Sequence, residues 1–366
     1  EVLPETDAEA LNLGRKYTSG RECFPCIVTL GDLLKKAKEK EFDPPHSAFF
    51  MPSADGPCRF GLYAAFQEYI LQELGYGEVA FISLEARDSY GGLGTPFRRN
   101  AWKGIVAADL LEKLCREFRP YEANRGEANR LYRSALADVC GAIAHGEDLN
   151  ARLGSAREAF SRMPIDREVR RPIIGIVGEI FLRSHRFSNN NLVDKIEELG
   201  GEAWVAPILE WILYSNAIAK EHFRQEGKWK DLAFMWIQDR VQKWDEHRLA
   251  SIFKGTLRSL EEPPTESLLE RARPYLDPAY EGEAILSIGK SIDYAQRGLS
   301  GLIAVMPFTC MPGTIVTALS KKLREDLQFI PFLSLAYDGL DEVHSQTRLE
   351  AFMYQVRGDG GGRRHP

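Results

Sequence analysis

The run Arg171-Pro172-Ile173-Ile174-Gly175-Ile176-Val177-Gly178 limits the fold more than any other stretch. It is almost uninterrupted in apolar residues, shows no alternation and ends on glycine. A strand of this kind is buried on both faces, as in a parallel sheet covered by helices. A similar order surrounds it. A loop over 179–188 leads to a helix over 189–199 with Asn189 or Asn190 as cap, Gly200-Gly201 stops it, and Ala203-Trp204-Val205-Ala206-Pro207 forms the next strand. Further on come a strand at 302–306, a loop, a helix over 314–325 and a strand at 331–335. The first half carries one such unit: an apolar strand at 48–52, a loop at 53–59, a helix over 60–74 stopped by Gly75, and a strand at 79–84.

The expected fold class is therefore α/β, with helical insertions. A chain of 366 residues has room for two domains. The division falls between a first α/β domain with a helical connector over 15–167 and a second α/β domain over 168–356, followed by a Gly/Arg-rich tail at 357–366 that is expected to be disordered. Helices over 122–144 and 149–162 read as charged, solvent-facing connectors. The helical stretch 208–270 carries Trp211, Trp229, Trp236 and Trp244, which read as core. The glycines at 91, 92 and 94 lack the Lys-Ser/Thr ending of a nucleotide loop. With no Walker-type motif, ATP hydrolysis is left to a partner.

Candidate chemistry sits in the cysteines. Cys23-Phe24-Pro25-Cys26, Gly56-Pro57-Cys58-Arg59 and Thr309-Cys310-Met311-Pro312-Gly313 each set a thiol among turn-forming residues. A helix is expected to begin after the first pair, over 28–40. Two thiols separated by two residues can grip one metal centre. Four would complete a tetrahedral zinc site or hold a 4Fe–4S cluster. A dithiol redox pair and separately buried thiols are the other readings. Cys115 and Cys140 lie in helix-like runs and read as core. Cys58 falls in a loop at a strand's carboxyl end, where α/β sheets build their sites. Arg59 beside it can offset the charge of a thiolate-bound cluster, or pair with a surface carboxylate. Glu179 follows the Gly178 strand end, with Arg183, His185 and Arg186 nearby. A carboxylate, an imidazole and guanidiniums there can bind an anion and move a proton, or else form interdomain ion pairs. Asp338, at the end of the last strand, is a comparable candidate.

A net charge of −6 argues against nonspecific nucleic-acid binding. No apolar run approaches a bilayer span, so no membrane partner is expected. The acidic start at 1–9 is not a signal peptide. Six cysteines in so long a chain do not suggest a disulfide scaffold, and reduced thiols fit the cytoplasm. A first residue other than Met fits a chain trimmed or cut from something longer.

The second half resembles the C-terminal domain of the 2-hydroxyacyl-CoA dehydratase and benzoyl-CoA reductase subunit superfamily. The resemblance rests on the strand, helix and Gly-Gly strand at 173–205, the Cys310 loop, and Ile330-Pro331-Phe332-Leu333-Ser334-Leu335-Ala336-Tyr337-Asp338 with Thr347-Arg348-Leu349-Glu350-Ala351-Phe352 after it. The Cys23, Cys58 and Cys310 motifs are similar to a subgroup in which this region ends large proteins related to ATP-dependent dehydratase activators. Together the tokens cover residues 15–356.

The resemblance implies two Rossmann-like domains with parallel sheets facing across a cleft, and an iron–sulfur cluster in that cleft. It implies three thiols on a 4Fe–4S cluster with one iron open to substrate, or in a related group two clusters joined by a sulfide. It further implies an ATP-hydrolysing activator protein or domain as electron donor. Cys58 matches the first-domain ligand and Cys310 the last second-domain ligand. In the dehydratases another Cys follows the strand corresponding to 203–206. Here that region reads Pro207-Ile208-Leu209-Glu210-Trp211. Cys23 and Cys26 could close the shell instead. Two functions follow as expectations: a component that reduces or dehydrates a CoA thioester or other small substrate, with Glu179, His185 and Asp338 catalytic and Arg59 and Arg183 at the cofactor; or a noncatalytic relay or metal-held module, also able to form a homodimer.

Overall fold

The computed structural model describes residues 2–54, 56–83, 94–166, 168–340 and 342–359. Helices α1 (Ala8–Lys16) and α2 (Phe24–Ala37) come first. They cross at two glycines with no room for side chains: a Cβ on Gly14 would lie 1.9 Å from the Ile27 carbonyl oxygen, and one on Gly31 1.8 Å from that of Ala10. Strand β1 (Ala48–Phe50), α3 (Tyr63–Glu73) and β2 (Ala80–Ile82) follow, and the two strands pair in parallel. Three long helices come next: α4 (Gly94–Phe118), α5 (Glu127–His145) and α6 (Leu149–Arg162).

The second half runs β3 (Ile173–Gly178), α7 (Ile180–Ser184), α8 (Leu192–Glu198), β4 (Glu202–Val205), α9 (Ile208–Gln225), α10 (Trp229–Ser251), α11 (Thr265–Ala272), α12 (Glu283–Gln296), β5 (Gly301–Pro307), α13 (Met311–Asp326), β6 (Phe332–Tyr337) and α14 (Glu342–Asp359). Its four strands form a wholly parallel sheet in the order β4-β3-β5-β6. The chain is thus mixed α/β with two parallel sheets. The central strands are as buried as their sequences require, and every residue of β5 is buried. On one face Ile174, Ile176, Ile303 and Val305 pack with Leu349, Phe352 and Met353. On the other, Val177, Leu302 and Ala304 meet Ile285, Ile288 and Ile292. No described helix is long and apolar enough to cross a membrane.

Several expectations are corrected. Leu11, Phe24 and Val28 belong to the core of the larger sheet, so α1 and α2 seat the Cys23 motif against the second half. Helices α5 and α6 are not mere solvent-facing connectors. Ala135, Val139, Leu153 and Phe160 share a core with Leu110, Leu213 and Phe253. Trp229, Trp236 and Trp244 are exposed rather than core, because α10 turns Met235, Asp239 and Gln242 inward instead. Cys115 is buried as expected, but Cys140 is exposed. Helix α2 begins between Cys23 and Cys26, not after them. Residues 180–184 are helical rather than loop, because Glu179 caps them. Of the expected tail, 357–359 continue α14, and 360–366 lie outside the described residues. Of the glycines at 91, 92 and 94, the first two lie outside the described residues, and Gly94 begins α4.

Candidate thiol and carboxylate site

Three of the cysteines occupy the same local position. Cys23-Phe24-Pro25 and Cys310-Met311-Pro312 are both Cys-x-Pro, and proline in a first turn fixes a helix start without losing a needed N–H. Each thiol therefore falls at an N-cap: Cys23 with φ −63° and ψ 136° before α2, Cys310 with φ −67° and ψ 125° before α13. Cys58 holds the corresponding place before the short 3-10 helix Arg59–Leu62, with φ −81° and ψ 138°. Glu179 caps α7 with φ −63° and ψ 130°. The N-terminal ends of helices carry unsatisfied N–H groups and partial positive charge, which favours anions.

These caps come together. Cys23 is near enough to Cys58 and to Cys310 for their charges to act on one another, and Glu179 acts on all three. Loops from both halves interlock at the same place. A Cβ on Gly282 would stand 4.0 Å from the ring carbons of both Pro57 and Pro312. Phe60, two residues beyond Cys58, packs edge-on against Tyr63 at 5.3 Å and Trp211 at 6.3 Å.

Each sulfur has a donor. Tyr63 bonds Cys23, the Phe60 N–H points at Cys58 Sγ across 3.5 Å, and the Gly313 N–H serves Cys310. Burial nevertheless pushes the thiols up, to about 12 for Cys23 and Cys310 and about 11 for Cys58. Without a cation they stay protonated, and metal binding would release those protons. Cys26, one turn into α2, is buried with Met51, Tyr63 and Ala64 in a cluster against which Cys23 also packs, and its charge reaches Cys23 and Tyr63.

Glu179 has a companion that the sequence reading missed. Its carboxylate accepts from the N–H groups of Phe181 at 3.1 Å and Leu182 at 2.9 Å, while Glu283 accepts from Ile180 at 3.0 Å. Burial raises both carboxyls, and the charge of Glu179 helps carry Glu283 to about 8. Arg183, 3% exposed, opposes the rise in both from behind and donates to the Pro207 carbonyl at 3.1 Å. Both glutamates line a narrow crevice with Ser287, Met306 and Cys310.

Backbone strain sets this geometry. Gly178 precedes Glu179 at φ +111°, Gly282 precedes Glu283 at φ +79°, and Thr309 precedes Cys310 at φ 63°. A β-branched residue in that region is a strained conformation of the sort that collects at functional sites.

The remaining candidates stand elsewhere or play other parts. Arg59 donates to the Arg21 carbonyl at 2.9 Å, tying the Cys58 loop to the approach to Cys23, and its charge lowers the Cys58 thiol. His185 faces Thr6 at 3.1 Å and Ser188 at 2.8 Å and stacks on Phe181 at 4.3 Å. Asp338 holds its own turn through the Leu340 N–H at 2.8 Å, and its carbonyl receives Arg15. Neither His185 nor Asp338 has a hydrogen-bond partner among the thiols.

The donor set suits a thiolate-bound anionic centre: three sulfurs, three hydrogen-bond donors to them, and several helix N-termini. Among the described residues no three His, Cys, Asp or Glu side chains yet form a ready metal cage. Neither the family models nor the curated proteins include a match to this chain.

Proposed function

We propose that the chain is a cytoplasmic iron–sulfur protein of the 2-hydroxyacyl-CoA dehydratase type. In this reading Cys23, Cys58 and Cys310 hold a 4Fe–4S cluster, and an ATP-hydrolysing activator supplies low-potential electrons for reduction or reductive dehydration of a small substrate such as a CoA thioester. The observation that carries it is the meeting of three Cys N-caps, drawn from both halves of the chain, around Glu179. The finer architecture belongs to the same proposal. The β1–α3–β2 unit and the four-stranded sheet would be two Rossmann-like halves facing across the thiols, as the interlocked Pro57, Gly282 and Pro312 suggest.

A bound cluster supplies one-electron chemistry at low potential. The chain's own residues do the rest. Tyr63 and the N–H groups of Phe60 and Gly313 orient the sulfurs and offset their charge. Glu179 and Glu283, both raised, keep a proton beside the thiols, where a leaving hydroxyl or a carbonyl oxygen needs one. The charge of Arg183 tempers the rise in both carboxyls.

One observation favours a second reading. The charge of Cys26 reaches Cys23, so four thiols could close the shell and leave a relay, or a metal-held module that docks a partner. Anaerobic EPR of reconstituted wild type and Cys26→Ala separates the two. A spectrum that survives in C26A, and shifts in wild type on adding a 2-hydroxyacyl-CoA, supports the enzyme. Loss of the cluster in C26A with no response in wild type supports the relay.

A further inference from the structure

A second cavity lies apart in sequence from Cys23, Cys58 and Cys310 and has no part in the reading above. It holds about 520 Å³ and opens where the end of α4 meets the approach to β3. That volume is in the range of small-molecule sites. Its polar wall carries three arginines, Arg170, Arg171 and Arg258, against two carboxylates, Glu117 and Asp166, with Tyr121, Ser161 and Thr256 between the charges, and Phe118 contributes an apolar face.

Part of this wall is fixed by the fold. Arg258 pairs with Glu202 at 2.7 Å, Tyr121 donates to Glu202 at 2.6 Å, and the Arg258 N–H donates to Glu117 at 3.1 Å. The Tyr121 ring lies between two guanidiniums, 5.9 Å from that of Arg171 and 5.8 Å from that of Arg258. The remaining polar atoms are left open. Arg171 Nε is buried without a partner, and neither Arg170 nor Arg171 has a carboxylate partner among the described residues. Glu117 is only 6% exposed, yet its Oε1 has no partner either. A buried polar group left without a hydrogen bond is costly, so such atoms in a cavity wall mark where a ligand's groups belong.

We infer that this cavity binds a small phosphate ester, its phosphate on Arg170 and Arg171 and a hydroxyl or amino group of its body donating to Glu117 Oε1. Guanidinium forks match phosphate oxygens in a bidentate way. The Phe118 ring suits a ribose or base beside it. The site is independent of the thiols and stands or falls apart from them.

The test is calorimetric titration of the full chain with AMP, ribose 5-phosphate, adenosine and inorganic phosphate. AMP or ribose 5-phosphate should bind at least tenfold more tightly than inorganic phosphate, and adenosine should give no heat. Arg171→Ala should weaken the ester at least tenfold, and Arg171→Lys should recover part of that loss. Glu117→Gln should weaken the ester while leaving inorganic phosphate unchanged. Circular dichroism identifies any variant that fails to fold, and R170A then serves in place of R171A. Binding of inorganic phosphate as tightly as the esters would make this a simple anion site and overturn the assignment. So would the absence of heat from both esters, or equal ester affinity in the folded Arg variants.

Discussion

Glu179 and Glu283 bind the same helix end from two parts of the chain: Glu179 takes the N–H groups of Phe181 and Leu182, and Glu283 takes that of Ile180. Two raised carboxyls beside three thiols thus satisfy one helix end between them. Glu283→Ala leaves the Ile180 N–H without that partner. It should cost about 1–3 kcal/mol in urea unfolding at pH 7, while Glu283→Gln, which keeps an acceptor oxygen, should cost less than half as much. Equal losses in both variants would mean that the hydrogen bond contributes nothing.

Gly178 can be no other residue if Glu179 is to stand where it does. Its φ is +111°, and a Cβ would lie 2.0 Å from the Val305 carbonyl oxygen in the neighbouring strand. Gly178→Ala should lose more than about 3 kcal/mol of stability or fail to fold. A variant within 1 kcal/mol of wild type by denaturant titration would refute the close packing of β3 on β5.

Much of this was legible in advance, for reasons particular residues make plain. The apolar run ending at Gly178 could only be a strand buried on both faces, and β3 is one. The thiol motifs were visible as turn chemistry, but their common role as helix caps lay in the repeated Cys-x-Pro, which was not read as such. Glu283 was missed although it repeats the Gly-Glu of Gly178-Glu179, since only the fold shows that both glycines take positive φ. The exposed tryptophans of α10 were misjudged because composition gives no helix phase. The cap was expected at Asn189 or Asn190 of a helix over 189–199; the helix begins at Leu192 with Asn191 at its N-cap, and Asn189 accepts the Leu192 N–H at 3.1 Å from further back.

Asp109 provides a test of the buried electrostatics away from the thiols. Its carboxylate accepts from the N–H groups of Ile208 at 3.1 Å and Leu209 at 2.8 Å, yet burial pushes it up to about 7. A folded-state value above the unfolded one means that the native chain binds more protons between about pH 4 and pH 7. This contribution to stability is present below that window and is lost as pH rises through it. Wild type should therefore lose about 2.5 kcal/mol more than Asp109→Asn between pH 5 and pH 7.5, since the amide does not titrate. Parallel pH profiles for the two proteins would show that Asp109 is not raised.

The central claim is that Cys23, Cys58 and Cys310 form one metal centre, and its most direct measurement is the iron and acid-labile sulfide content after anaerobic reconstitution. The account predicts a brown protein with about four irons and four sulfides per chain. It predicts loss of most of both in Cys23→Ala, Cys58→Ala and Cys310→Ala, and retention in Cys115→Ala and Cys140→Ala. Zinc without iron in the wild type, or a cluster that survives in C58A and C310A but disappears in C115A, would contradict it.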